Sequence, residues 1–453
     1  MSLSYRLPGL TVTGHSFTVP LDHADPTGPS IQVFARELSG PARAGERPHR
    51  LRAFAAGAAA TAFLSFGAAA APTAAQAATT ARPMPAVPEH GAAPATECAL
   101  PGRTGWTDEG HTTDYTTQFQ RPLGTRHVLM LFVDFPDAQA SGSTSDYYRQ
   151  LAPAADWMKR DSYGRTTLDI TPLGRWIRMP QDSTSYGFQR GITFEQHEAY
   201  VRQAVAAADP YTDFSRFDMV YVVPVRSASA IGFSPTYLYD PTTAGVSADG
   251  TRIKWAVTFG QDMWHWGFKV ADHETGHTFG LPDLYAFTGT DHHRFVGGWD
   301  LMGDIAGAAP QHLGWERWKF GWIDDRQVAC LPASGSRTVR LRAVESPSGT
   351  KIAVIRTGET TAYVAESRRA VGADEQACST GVLIYQVDTS LQTGYGPVRI
   401  VNGNPGATPP PGCRALDMAA FRPGRSFTDP ATRVRIDVEG GDALQDEISI
   451  TEQ

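Results

Sequence analysis

Residues 273–283 read His-Glu-Thr-Gly-His-Thr-Phe-Gly-Leu-Pro-Asp, HETGHTFGLPD in one-letter code. His273 and His277 stand at i and i+4, so a helix brings both imidazoles to one face, a turn apart. Two neutral imidazoles so placed can share one Zn²⁺. Glu274 lies between them, beside the metal position rather than at it. A carboxylate there can take a proton from a zinc-activated water and later return it. This is the HExxH pattern of zinc proteases, with the Glu as general base. Gly280 can end the helix in the left-handed conformation. The chain then turns back and offers Asp283 as third ligand, with water in the fourth position. A bare HExxH arises by chance in solvated helices; its extension through Gly280 to Asp283 is far less accidental.

The metzincin pattern has the same frame, with His where this chain has Asp283. Residues 297–303 (GGWDLMG) add a second element. In metzincins a Met-containing turn lies beneath the metal, and Met302 is expected there; the plainer reading is a core residue filling a gap. Glu316 competes for the third ligand position, because some zincins draw it from a second helix downstream; spacing favours Asp283. His265, His292 and His293 lie near the motif. On the plain reading they are loop or surface residues. On the functional one, His292 or His293 donates a hydrogen bond to the oxyanion. Asp291 and Asp240 are candidates for Ca²⁺, but no D-x-D-x-D-G loop is present and no calcium site is claimed.

Composition bounds the rest. The chain has 453 residues, 41% hydrophobic and 19% charged, with a formal net charge of −7. That length holds two or more domains beyond a leader. No long basic run interleaves with aromatics, so nucleic acid is not an expected partner. Arg47, Arg50 and Arg52 precede the apolar residues 53–71, and Ala75-Gln76-Ala77 has small residues at −3 and −1 of a cleavage site. This reads as a signal peptide over 47–77. A transmembrane anchor is the alternative, disfavoured because Ala and Gly are weakly hydrophobic. A secreted protein without a stable membrane anchor is expected, and a monomer. Residues 78–97, rich in Ala, Pro and Thr, read as a linker or short pro-segment. Residues 1–46 read as an extension without chemistry of its own. Four cysteines in an exported chain suggest two disulfides, with three possible connectivities. Cys378 with Cys413 closes a local loop, which leaves Cys98 with Cys330. A narrower idea is a Cys98 thiolate capping the zinc in a latent form.

The coarse elements follow hydrophobic spacing. Residues 127–135 (HVLMLFVDF) form a continuous apolar run, expected as a buried central strand. Residues 148–159 and 194–208 show helical spacing, 166–170 and 217–225 read as strands, and Pro224 marks a strand end. Residues 254–258 are expected as an edge strand along which substrate lies. A helix over 262–279 carries the zinc ligands. Aromatics of 315–322 are expected to pack against it. Downstream, 338–341, 352–356, 361–366, 382–387 and 434–438 alternate as short strands. The expected fold is α/β (α+β): a zincin-like metalloprotease domain over 98–330 and a β-rich C-terminal region over 331–453.

Residues 273–285 (HETGHTFGLPDLY), followed by 298–303 (GWDLMG), resemble the M6 family of secreted bacterial metalloproteases, the immune inhibitor A-like enzymes. The strand LFVDFPD at 131–137, the SYGR turn at 162–165, Phe320-Gly321-Trp322 and the strand GVLIY at 381–385 are similar too, so the likeness spans roughly 102–440. The resemblance implies a zinc endopeptidase acting on proteins or peptides, with His273 and His277 as ligands and Glu274 as base. Asp283 matches the family's Asp, which supports its ligand role. Large members also carry long propeptides and further C-terminal modules, which are not seen here. Separately, residues 1–38 resemble the beginning of a proline iminopeptidase. No G-x-S-x-G elbow follows, so a serine aminopeptidase would lack its nucleophile. The other rival is a zinc-binding protein with a protease fold and no turnover.

Overall fold

The computed structural model describes residues 3–7, 10–20, 30–39, 93–103, 106–331 and 335–452. They fall in two compact units, 1–85 and 86–453. In the first, β1 (Leu3–Leu7), β2 (Leu10–Pro20) and β3 (Ser30–Ser39) form an antiparallel sheet in that order. The expected signal peptide over 47–77 and most of the expected linker over 78–97 lie outside the described residues.

The second unit begins with a five-stranded sheet. Its strands are β4 (Gly124–Asp134), β5 (Thr166–Arg178), β6 (Met219–Pro224), β7 (Thr236–Leu238) and β10 (Trp255–Thr258). A small hairpin of β8 (Val246–Ala248) and β9 (Thr251–Ile253) stands apart from it. The sheet order is β5-β4-β6-β10-β7. Four strands run parallel, and β7 pairs antiparallel to β10 at the edge. The expected edge strand, 254–258, is therefore interior: β7, three residues long, covers it.

Strand β4 shows why its sequence is apolar throughout. Val128, Met130 and Phe132 join one core cluster, and Leu129, Leu131 and Val133 join the other. A strand buried on both faces loses the alternation of a half-exposed one. Helices α1 (Ser145–Leu151) and α2 (Pro153–Asp161) replace the single helix expected over 148–159. Pro153 separates them: it lacks the N–H a continuing helix needs but suits a first turn. Helix α3 (Phe194–Ala208) matches its expected bounds. A reciprocal capping box starts it, Thr193 Oγ1 accepting from the Gln196 N–H and Gln196 Oε1 from the Thr193 N–H. The helix expected over 262–279 is also two, α4 (Met263–Trp266) and α5 (Lys269–Thr278). Gly267 breaks them at φ 67°, ψ −153°, a conformation essentially reserved for glycine.

Helix α6 (Gly314–Lys319) leads into two further sheets. One has the order β11 (Val328–Leu331), β13 (Ile352–Arg356), β14 (Thr361–Arg368), β15 (Gly381–Asp388), β16 (Val398–Ile400). The other has the order β12 (Gly335–Arg342), β19 (Gln445–Glu452), β18 (Val434–Gly441), β17 (Ser426–Asp429). The fold is thus α+β, with more strand than helix. Alternate residues of the first sheet serve different cores. Val354, Val364 and Tyr385 join the cluster around α5, while Ile355, Ala365 and Ile384 join a second cluster with Ile436 and Ile448 of the other sheet. The expected catalytic and C-terminal regions therefore share one core.

Two disulfides are present, Cys98–Cys330 and Cys378–Cys413. This is the expected pairing, and it removes the Cys98 thiolate cap on zinc. In the chain-entropy picture closures of 232 and 35 residues are worth about 5 and about 4 kcal/mol. Among the described residues no helix is long and apolar enough to cross a membrane.

Candidate metal centre

Helix α5 places His273 and His277 one turn apart, their ring centroids 4.9 Å from each other. Gly280, at φ 95°, turns the chain after the helix. A side chain there would also press on Thr113 and Phe119. The returning segment brings Asp283 Oδ1 to 3.2 Å from His273 Nε2 and 3.3 Å from His277 Nε2. Ligand-type atoms of His273, Glu274 and His277 lie within 4.8 Å of one another.

The ring tautomers follow from the outer partners. His273 Nδ1 lies 3.0 Å from the Leu301 carbonyl and His277 Nδ1 2.8 Å from the Leu281 carbonyl. A carbonyl can only accept, so each Nδ1 carries the hydrogen and, in the neutral ring, each Nε2 offers a lone pair. Metal-binding histidines are commonly oriented this way. Two imidazole lone pairs and a carboxylate oxygen thus converge with no hydrogen bond of ordinary geometry to Asp283 Oδ1. Such a set could hold a cation. Zinc bonds of about 2.0–2.1 Å give a tetrahedral edge of roughly 3.3–3.4 Å, close to the two spacings found. The residues fit the ion.

Electrostatics agree. Burial disfavours the His277 imidazolium, but Asp283 beside it prevails and raises its pKa to about 9. Burial opposes ionisation of Asp283, yet His277 and His273 hold its carboxyl well below the usual range. A proton relieves the converging lone pairs as a metal ion would. Glu274 is pushed upward, chiefly by burial, against the pull of His277 and His273. Its Oε2 lies 2.8 Å from the Thr236 hydroxyl of edge strand β7, which also lies 2.9 Å from its carbonyl.

Met302 lies under the helix. A Cβ on Gly276 would stand 2.9 Å from Met302 Sδ, so the glycine lets the sulfur approach. Asp300 holds this turn through the Met302 and Leu313 N–H groups, at 2.7 Å each. Arg368 of β14 donates to the carbonyls of Trp299 and Ala309, 2.8 Å each. The loop between β15 and β16 also reaches the candidate third ligand: Asp283 N–H donates to Thr393 Oγ1 at 2.9 Å and Gly394 N–H to the Asp283 carbonyl at 3.0 Å.

Glu316 is placed elsewhere. Fully buried on α6, it faces Asp300 and Glu109; of the two candidates, Asp283 is the one found beside His273 and His277. His265 is exposed and meets Trp266 edge-on, ring centroids 4.3 Å apart. His292 and His293 both line a cavity of about 700 Å³ that also touches His273, Glu274 and Tyr285. Their Nδ1 atoms meet the carbonyls of Ala286 and Gly303. Thr236, Thr393 and Arg190, another cavity residue, had no local signature; each acts across a long stretch of chain.

No protein-family model matches this chain, and no curated protein matches it. The assignment of function therefore rests on the site's own chemistry.

Proposed function

We propose that this protein is a secreted zinc-dependent endopeptidase of M6-like type, with a zincin-like catalytic fold. One observation carries the reading: His273 Nε2, His277 Nε2 and Asp283 Oδ1 converge beside the Glu274 carboxylate at a cavity wall. The antiparallel edge strand β7 over helix α5 supports the zincin-like part, and two disulfides support export.

His273, His277 and Asp283 would hold the ion. Bound there, zinc would lower the pKa of a coordinated water and polarise the scissile carbonyl. Glu274 takes a proton as water oxygen bonds to the carbonyl carbon. It hands that proton to the departing amine as the carbon–nitrogen bond breaks, so the carboxylate ends as it began. Burial raises its proton affinity, which suits a base that must keep the proton until the amine leaves. Thr236 orients it, and β7 offers an edge on which an extended peptide can add as a further strand.

The test is casein hydrolysis by the purified protein beside E274Q, with zinc measured in both. Activity in the wild type alone, abolished by chelator, with equal zinc in both, is expected. Zinc in both without activity in either would favour the reading as a binding protein. Absence of zinc from both would overturn the metal centre.

A further inference from the structure

The cavity beside Glu274 has an uneven charge balance. Besides Glu274, two acidic residues line it, and both are engaged. Asp262 accepts from the Ser234 N–H at 2.9 Å and the Ser234 hydroxyl at 2.7 Å. Asp304 pairs with Arg414. Arg190 also lines the cavity, and no carboxylate lies within ion-pair distance of it among the described residues. Asp262 feels its charge only weakly beside the two serine hydrogen bonds.

Arg190 is held by other means. Its guanidinium carbon lies 5.7 Å from the Phe233 ring centre, and Tyr285 lines the same cavity. The Tyr285 hydroxyl can donate a hydrogen bond to a ligand in that cavity. The Tyr285 ring stacks 6.4 Å from His273, so this donor set stands next to the place where a peptide bond would be cut. The remaining walls are largely apolar, including Phe233, Trp266, Val270, Phe287 and Ile305. A volume of about 700 Å³ is within the ordinary range for binding sites.

We infer that Arg190 and Tyr285 form a carboxylate-recognising subsite, and that the preferred substrates are peptides with Asp or Glu next to the scissile bond. A planar guanidinium matches a carboxylate bidentately, and the phenol supplies a third hydrogen bond. The net charge of −7 repels acidic peptides in general, so such a preference must be local. This inference rests on the endopeptidase reading and names its substrate class.

Peptides differing only by Glu, Gln or Lys, scanned across three positions either side of the scissile bond, would be titrated against zinc-loaded E274Q protein. Glu should bind about tenfold tighter than Gln at one position only. The ratio should fall to near one in E274Q/R190Q, survive in part in E274Q/R190K and invert towards Lys in E274Q/R190E. Equal binding of Glu and Gln peptides, or an unchanged ratio without Arg190, overturns the subsite. If the wild type still cleaves casein in that case, the endopeptidase reading stands. If it cleaves nothing and neither peptide binds, both fall.

Discussion

Two clusters of buried ionisable groups lie close to the turn that ends helix α5, and they differ in kind. At one, His273, His277 and Asp283 turn lone pairs towards a common point, and each histidine has a carbonyl behind it. A cavity touches His273 and Glu274 there. At the other, Glu109 and Glu316 are wholly buried, and none of their four carboxyl oxygens finds an ordinary hydrogen-bond partner among the described residues. Burial raises both pKa values, that of Glu109 to about 7, with Lys319 opposing it. Lys319 bridges the clusters, donating to the carbonyls of Asp108 and Gly280. Shifted proton affinity is common to both. Convergence of lone pairs, carbonyl partners behind the histidines and contact with a cavity are seen at the first, and these are the grounds for proposing it as the chemical site.

The contrast is tested most severely by removing its central groups. E274Q should lower casein turnover by about 10³–10⁴-fold with zinc retained, whereas H273A should lose turnover and zinc together. Zinc content by atomic emission, beside initial rates, separates the two. Loss of zinc from E274Q would make Glu274 a ligand instead of a base.

The second cluster should show in stability. Its Glu109 has a folded pKa of about 7 against an ordinary 4.5. Between these values the folded protein keeps a proton that the unfolded chain has released. The resulting stabilisation is complete below the unfolded pKa and is lost as pH rises through about 7, a span worth up to about 3 kcal/mol. Thermal melts of wild type and E109Q from about pH 5 to about pH 8 should diverge, with the wild type falling more steeply. Parallel curves would mean that Glu109 does not hold the proton.

Smaller effects probe the supports. T393V deprives the Asp283 N–H of its acceptor and should weaken zinc binding about tenfold, read by competition with a chromophoric chelator. An unchanged affinity would show that Thr393 does not position the ligand. G276A forces Met302 aside and should cost about 1 kcal/mol, measured by denaturant unfolding. A neutral result would mean that the sulfur has room to move.

Much of this was legible beforehand where a local rule governs. Residues 127–135 read as a central strand because both faces of β4 are buried. Helix α3 kept its bounds because spacing and a capping box agree. That His273, His277 and Asp283 come together was readable because two of them share a helix face and the third follows a glycine turn. Misreadings arose where distant contacts decide. Residues 254–258 looked like an edge because β7 is only three residues long. The break at Gly267 hides among aromatics that continue the apolar spacing. Thr236 meets Glu274 across 38 residues and Thr393 meets Asp283 across 110, and no spacing rule spans such gaps.

The bond between Cys98 and Cys330 has a further consequence. It encloses β4, α5 and all three proposed ligands in one covalent ring. A single cut anywhere between those cysteines opens the ring without releasing a fragment. The nicked molecule would migrate at full mass until reductant is added, then separate into two pieces. Among other proteases, or copies of itself, such a chain can suffer one break in an exposed loop and remain a single molecule.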